Sequence, residues 1–192
     1  MKIGLVADTH GYFDPRLTER LVGVEAILHA GDVGPREILE TLALIAPVYA
    51  VRGNTDSPLL NLPLTLRQRF AGVQIEVQHD LTVSRRDLEA WRREANLSEF
   101  QRERRGRFLR GFGAATRLVG FGHSHDPCLV NLDGKLFCNP GSAGKQRFSL
   151  PRSCAVLEIS PENVEVTILS LGRYDHLPIA RMSLLLSGGS QL

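Results

Sequence analysis

The chain has 192 residues, 43% of them hydrophobic and 23% charged, with a formal net charge of +2. That length suits one domain with a full core, and the balance is that of an ordinary globular protein. So small a charge does not by itself point to a nucleic-acid or membrane partner. Three cysteines (Cys128, Cys138 and Cys154) without a C-x-x-C pair argue against a disulfide framework or a zinc knuckle, and for a reducing compartment.

Residues 2–7 are almost wholly apolar and predict a strand buried on both faces. Asp14-Pro15 opens a helix to about Val22, with Pro where its missing N–H costs little. Residues 25–30 predict a second buried strand, and Gly34-Pro35 a second helix from Arg36 to about Ile45, with Ile38, Leu39, Leu42 and Ile45 at helical spacing. Pro47 ends it, and residues 48–51 predict a third strand. The connections are too long for hairpins, so these three strands should be parallel. The pattern then changes. Residues 64–70 and 73–78 alternate apolar and polar around Ala71-Gly72, which predicts a hairpin. Ser84-Arg85-Arg86-Asp87 and Ser98-Glu99-Phe100-Gln101 resemble capping boxes, so residues 84 to about 110 predict one kinked helix or two short ones broken near Asn96. Residues 117–121 predict a strand, 130–138 a hairpin turning at Asp133-Gly134, and 153–159 and 164–171 two further strands. The tail after Arg173 gets no assignment. Parallel strands first and antiparallel strands later predict a two-sheet α/β sandwich with flanking helices, spanning 1–192 as a single domain. No apolar run is long enough to cross a bilayer, and no basic-then-apolar leader precedes the first strand. A soluble cytoplasmic protein without membrane contact is expected.

Ligands bind at the carboxyl ends of strands in open α/β sheets. Asp8 and His10 follow the first predicted strand, Asp32 the second and Asn54 the third. His79 follows the second hairpin strand, and His123 and His125 follow the strand at 117–121. Seven metal-competent side chains thus lie just past five strands, and they include four of the six histidines. Gly31, Gly53 and Gly122 each precede one of them and permit close backbone approach. Carboxylate, imidazole and amide oxygen together suit Mn²⁺, Fe²⁺, Zn²⁺ or Ni²⁺, not copper(I). Seven ligands exceed the needs of one such ion and fit two sharing a carboxylate.

Asp8-x-His10, Gly31-Asp32, Gly53-Asn54, His79 and Gly122-His123-x-His125 resemble the calcineurin-like metallophosphoesterases. The length, Asp8-Thr9-His10-Gly11 and Asn139-Pro140-Gly141-Ser142 look like the small YfcE-like phosphodiesterase branch, which also includes the retromer scaffold subunit. The resemblance spans about residues 1–170. It implies that Asp8, His10, Asp32 and His125 hold one metal, and that Asp32, Asn54, His79 and His123 hold another, with Asp32 bridging. A metal-bridging hydroxide would attack phosphorus in line, with Asn54, Asp32 and His123 as the residues acting on substrate and nucleophile. The cofactor implied is two divalent ions, Mn²⁺ first, with Fe, Zn, Ni or Mg as alternatives. Two positions depart from the family pattern. Thr55 stands where larger members carry a leaving-group histidine, which favours esters with acidic leaving groups or protonation by metal-bound water. Asp80 stands where glycine is common, and either adds negative charge near the second metal or caps a turn.

Outside the ligand set, His29 reads as a satisfied core histidine, His176 as a surface residue, and the cysteines as buried small hydrophobes. Asn139-Pro140-Gly141-Ser142 is expected to pack beside the metal loops, with Arg147 a candidate for a substrate phosphate. Between residues 85 and 110 lie nine arginines against five acids. The favoured reading is a solvated helical face laced with i, i+4 pairs over a buried stripe of Leu88, Trp91 and Ala95. The other reading is a positive rim for phosphate-bearing substrate or nucleic acid. The expectation is therefore a divalent-metal phosphodiesterase acting on a small-molecule or nucleotide diester. Nucleic acid is the less favoured partner, and a homo-oligomer is left open. The alternatives are a non-catalytic metal-binding scaffold of the same fold, and a phosphomonoesterase or nucleotidase.

Overall fold

A computed structural model describes residues 1–93, 96–147, 149–172 and 177–186. The first half alternates strand and helix: β1 (Lys2–Val6), α1 (Arg16–Arg20), β2 (Ala26–His29), α2 (Glu37–Ala43) and β3 (Val48–Ala50). Then follow β4 (Thr65–Phe70), β5 (Val73–Gln78), α3 (Arg85–Arg92), α4 (Glu99–Arg110) and β6 (Thr116–Gly120). The chain closes with β7 (Cys128–Leu132), β8 (Lys135–Asn139), β9 (Ser153–Ile159), β10 (Asn163–Ser170) and β11 (Pro178–Leu185). A short 3₁₀ turn at Pro58–Leu60 was not expected.

The strands form two sheets, one of six in the order β11-β10-β9-β1-β2-β3 and one of five in the order β4-β5-β6-β8-β7. β1, β2 and β3 pair in parallel, as the crossover lengths require. β9 then lies antiparallel on the other side of β1. The second sheet also holds a parallel set, because β6 runs parallel to both β5 and β8. Both predicted hairpins are present, β4–β5 and β7–β8. Their turns place Ala71-Gly72 and Asp133-Gly134 at positive φ, as two-residue hairpin turns require.

Alternation along the strands divides the core into layers. Between the sheets lie Leu5, Leu28, Val77, Leu118, Leu157 and Ile168. On the outer face of the first sheet, Ile27 and Val156 meet Leu17 and Leu21 of the α1 region and Ile38 and Leu42 of α2. On the outer face of the second, Val119, Val130 and Phe137 meet Leu88 and Trp91 of α3 and Phe108 of α4. The result is a helix–sheet–sheet–helix sandwich. Buried Asp14 holds the start of α1 by accepting from the Arg16 backbone N–H at 3.0 Å and pairing with the Arg16 and Arg152 guanidiniums.

The segment after β5 is two helices, not one. Ser84 and Ser98 each form a full capping box, with Asp87 and Gln101 as the returning side chains. Of the predicted buried stripe, Leu88 and Trp91 are buried, and Ala95 lies outside the described residues. The arginines largely follow the ion-paired reading. Arg85 meets Glu89 and Asp126, Arg104 meets Asp87 and lies over the Trp91 ring, Arg105 meets Asp133, and Arg107 meets Glu103. The unassigned tail supplies β11, which pairs antiparallel with β10 and extends the first sheet. His176 lies outside the described residues. No helix among the described residues is long and apolar enough to cross a membrane.

Candidate metal centre

Every predicted ligand leaves the carboxyl end of a parallel strand. β1, β2 and β3 of one sheet and β5 and β6 of the other open their loops on the same edge, which gathers all seven side chains. Asp8, His10 and His125 converge so that their ligand atoms lie within 4.8 Å of one another, as do those of Asp8, Asp32 and His79. The His10 and His125 Nε2 atoms are 3.2 Å apart, and His125 Nε2 is 3.5 Å from Asp8 Oδ1. Asn54 Oδ1 sits 2.9 Å from both His79 Nε2 and His123 Nδ1. Asp32 Oδ2 lies between these groups, 3.7 Å from His10 Nε2 and 3.5 Å from His79 Nε2.

The backbone is bent to achieve this. Asp8, His10, Asp32, His123 and His125 all have φ between 47° and 69°, the left-handed region that non-glycine residues seldom occupy. Such conformations cost about 1–3 kcal/mol each and persist where surrounding structure enforces them. Glycines make the remaining room. A Cβ on Gly53 would collide with the Asp32 carboxylate, and one on Gly122 would stand 2.7 Å from Asp8 Oδ2.

Hydrogen bonds outside the cluster fix its loops. His79 Nδ1–H donates to the Ala30 carbonyl at 2.8 Å, which leaves the Nε2 lone pair facing inward. The Thr55 backbone N–H donates to Asp32 Oδ1 at 2.9 Å, so Oδ2 is the oxygen left for the centre. The expected backing by residues 139–142 is present. The Asn139 side chain donates to the Gly122 carbonyl and to Ser124, and the Ser142 hydroxyl donates to the Asp8 carbonyl. His29 is buried, as expected. Its Nδ1 accepts from the Gly31 N–H and its Nε2 faces the Thr9 hydroxyl, which in turn donates to the Val33 carbonyl. Asp80 caps a turn, since its Oδ1 accepts from the Thr82 N–H, and its Oδ2 lies 3.9 Å from His123 Nε2. The sequence reading missed Asp56, whose carboxylate accepts from the Gly34 and Gly53 N–H groups and ties the β2 and β3 loops together. Its only signal in the sequence was an acid two residues after Asn54.

The electrostatics suit a cation. Burial pushes the Asp8 carboxyl up to about 7, only partly offset by the nearby His79. Burial also holds His125 down at about 4, helped by His10 and Arg147, and it lowers His10. Both rings are therefore neutral at pH 7 and can act as ligands. Asp32 is buried, yet hydrogen bonds from His79 and Thr55 hold it below the usual carboxylate range. His79 is raised, because its contacts with Asp32 and Ala30 outweigh burial. Within the protein alone the His79 Nε2 lone pair faces oxygens, two neutral imidazole nitrogens face each other, and buried Asp8 has the His79 ring nearby and the His123 N–H at 3.2 Å against its own burial. A divalent cation resolves each of these contacts, and the mix of carboxylate, imidazole and amide donors fits it.

Known proteins resemble this chain in sequence and in fold. The family model described as a calcineurin-like phosphoesterase superfamily domain matches residues 1–162. A probable metallophosphoesterase of Methanocaldococcus jannaschii is 30% identical over 169 residues, which cover 85% of this chain and 77% of that protein. Among solved structures, Vps29 from Entamoeba histolytica complexed with zinc aligns with a TM-score of 0.68 at 20% identity, over 96% of this chain and 99% of that one. The phosphoesterase YfcE from E. coli aligns with a TM-score of 0.63 at 22% identity, over 96% and 100%. With both the fold and the family model in agreement, this chain belongs to the calcineurin-like metallophosphoesterase superfamily.

Proposed function

We propose that the protein is a divalent-metal-dependent phosphodiesterase with a dinuclear site. The observation that carries this reading is the place of Asp32, whose Oδ2 faces His10 on one side and His79 on the other. One carboxylate between two ligand groups suits a bridge. Asp8, His10, Asp32 and His125 would hold one ion, and Asp32, Asn54, His79 and His123 the second. Mn²⁺ is the first choice, with Fe, Zn, Ni or Mg as alternatives. The zinc complex of Vps29 supports a cation on this fold. When bound, such ions supply Lewis-acid charge for phosphoryl oxygens and lower the pKa of water.

The chain's own groups shape the rest. Asn54 turns its Oδ1 to the space between His79 and His123, where the second ion would sit, and keeps its NH₂ for a phosphoryl oxygen. The His123 ring stands at the solvent side of the centre, half exposed, where substrate arrives. Arg147 is exposed, and its charge reaches Asp8, His10 and His125, so it attracts an anionic phosphate. Thr55 binds Asp32 and is a poor acid near neutral pH. That favours diesters with acidic leaving groups over monoesters whose alkoxide must be protonated. The three thiols are free and buried, which we read as fitting a reducing compartment such as the cytoplasm.

The likeness to Vps29 favours one rival, a scaffold of the same fold without catalysis. Hydrolysis of bis-p-nitrophenyl phosphate by chelator-stripped protein, with Mn²⁺ added back, separates the two. Turnover restored by metal and absent from His123→Ala is expected. Folded protein that binds two ions but turns over nothing with any divalent metal would favour the scaffold. Faster turnover of p-nitrophenyl phosphate than of the diester would favour a monoesterase.

A further inference from the structure

Two clefts adjoin the Asn54, His79 and His123 part of the centre, one lined by Asn54 and His79 and the other by His123. The first, about 610 Å³, is walled by Arg52, Asn54, Leu64, Gln78 and His79. The second, about 450 Å³, has Leu81, Val83, Phe121 and Leu150 as an apolar lining and His123 and Arg86 at its walls. They share only Asp80. Three of the candidate ligands stand where the clefts meet: the His79 and His123 rings lie edge to face, 5.2 Å apart, with Asn54 Oδ1 between them. A phosphorus held there therefore has two clefts beside it, and each cleft is large enough for a small organic group.

A phosphomonoester has one organic substituent and would leave one cleft empty. A cyclic nucleotide keeps both ester oxygens in one ring and needs only one cleft as well. An open diester has two substituents that leave phosphorus in different directions. The linings also differ in character. Leu81 and Phe121 are buried and give the second cleft an apolar floor, while Arg86 and the hydroxyls of Ser84 and Ser124 stand at its margin. A flat heteroaromatic ring with polar edges matches that combination, since bases stack on apolar and guanidinium surfaces. Arg85, in the same wall, is committed to Glu89 and Asp126, whereas Arg86 makes no ion pair among the described residues.

We propose that the substrate is an open diester joining two bulky groups, of which one is a nucleoside seated in the Phe121 cleft and the other fills the Arg52 cleft. This rests on the phosphodiesterase reading and narrows it to a dinucleotide-type ester.

The test compares thymidine 5′-(p-nitrophenyl phosphate) with methyl p-nitrophenyl phosphate on the Mn²⁺-loaded protein. The leaving group is the same, and only the second substituent differs. The nucleoside ester should show kcat/KM about tenfold or more above the methyl ester, mostly through KM, as added binding does. Val83→Trp, which fills the Phe121 cleft, should bring that ratio close to one. Leu64→Trp, which crowds the other cleft at an exposed position, should not. A ratio near one in the wild type overturns the inference while leaving the diesterase intact. So does a collapse in Leu64→Trp alone, or in neither variant. If neither ester turns over, the diesterase reading falls and takes the inference with it. Thermal melts of both variants establish that each is folded.

Discussion

At the scale of single residues, Asp8 joins function to instability. Its carboxyl is fully buried and its pKa in the fold is about 7, against about 3.9 for an unfolded chain. The fold therefore binds this proton more tightly than the unfolded chain does, and stability falls as pH rises toward and through 7. His79 acts in the same direction: its raised pKa gives stability present below about 6.5 and lost as pH rises through the folded value. His125, at about 4, and His29, at about 3, act oppositely, but their contribution is complete once pH exceeds the unfolded value of about 6.5. Metal-free protein should thus lose stability between about pH 6.5 and 8. An Asp8→Asn variant in chelator should melt several degrees above wild type at pH 8, keep most of that lead at pH 6, converge with it only near pH 4, and lack Mn²⁺-dependent turnover. Melting curves across that range decide the matter, and a flat wild-type profile, or a variant no more stable at pH 8, would sink it. The candidate ligands were legible from chain order, because each follows an apolar run. Asp56 was not, since its role depends on two backbone N–H groups from loops distant in sequence.

At the scale of elements, local chemistry decided most boundaries. Ser84 caps α3 with its side chain on the Asp87 N–H, and Asp87 returns to the Ser84 N–H at 2.9 Å. This cap sits beside the cleft that holds Arg86 and Phe121. Ser84→Ala removes the side-chain half of the box and should cost about 1 kcal/mol. It should also loosen the Arg86 wall, so hydrogen exchange of the α3 amides should speed up while those of β1 stay protected. Equal exchange in α3 of variant and wild type would refute the cap's importance. Capping boxes are readable because the serine and its partner are three residues apart. β11 was not readable for the opposite reason. Ala180, Met182 and Leu184 turn inward, but Ile179 and Leu185 are apolar and exposed, so the alternation that marks a strand is blurred. Only its pairing with β10, which runs from Asn163↔Leu185 to Leu169↔Pro178, defines it.

At the scale of the whole molecule, the candidate centre draws its residues from both sheets. Asp8, His10, Asp32 and Asn54 come from the loops after β1, β2 and β3, while His79, His123 and His125 come from those after β5 and β6. Strands of both sheets must be in register before either ligand group is complete, so a cation bound only by the native state stabilises the joined sandwich. The sequence shows the parallel start, the two hairpins and one edge for the candidate ligands, but not the strand order that sets β9 beside β1 and β8 between β6 and β7, because that depends on pairings between distant segments. Linkage sets the size of the effect: at a hundred times Kd, a single bound ion adds about 2.7 kcal/mol. For a domain of this length that is a rise in Tm of about 5–10 °C. Chelator-stripped wild type titrated with Mn²⁺ should climb by at least that amount. His79→Ala, which loses a ligand contributed by β5 to the group around Asn54, should climb less and should bind fewer ions by equilibrium dialysis. Identical gains in wild type and variant would mean that His79 holds no metal, and that the second sheet joins the centre through the β6 loop alone.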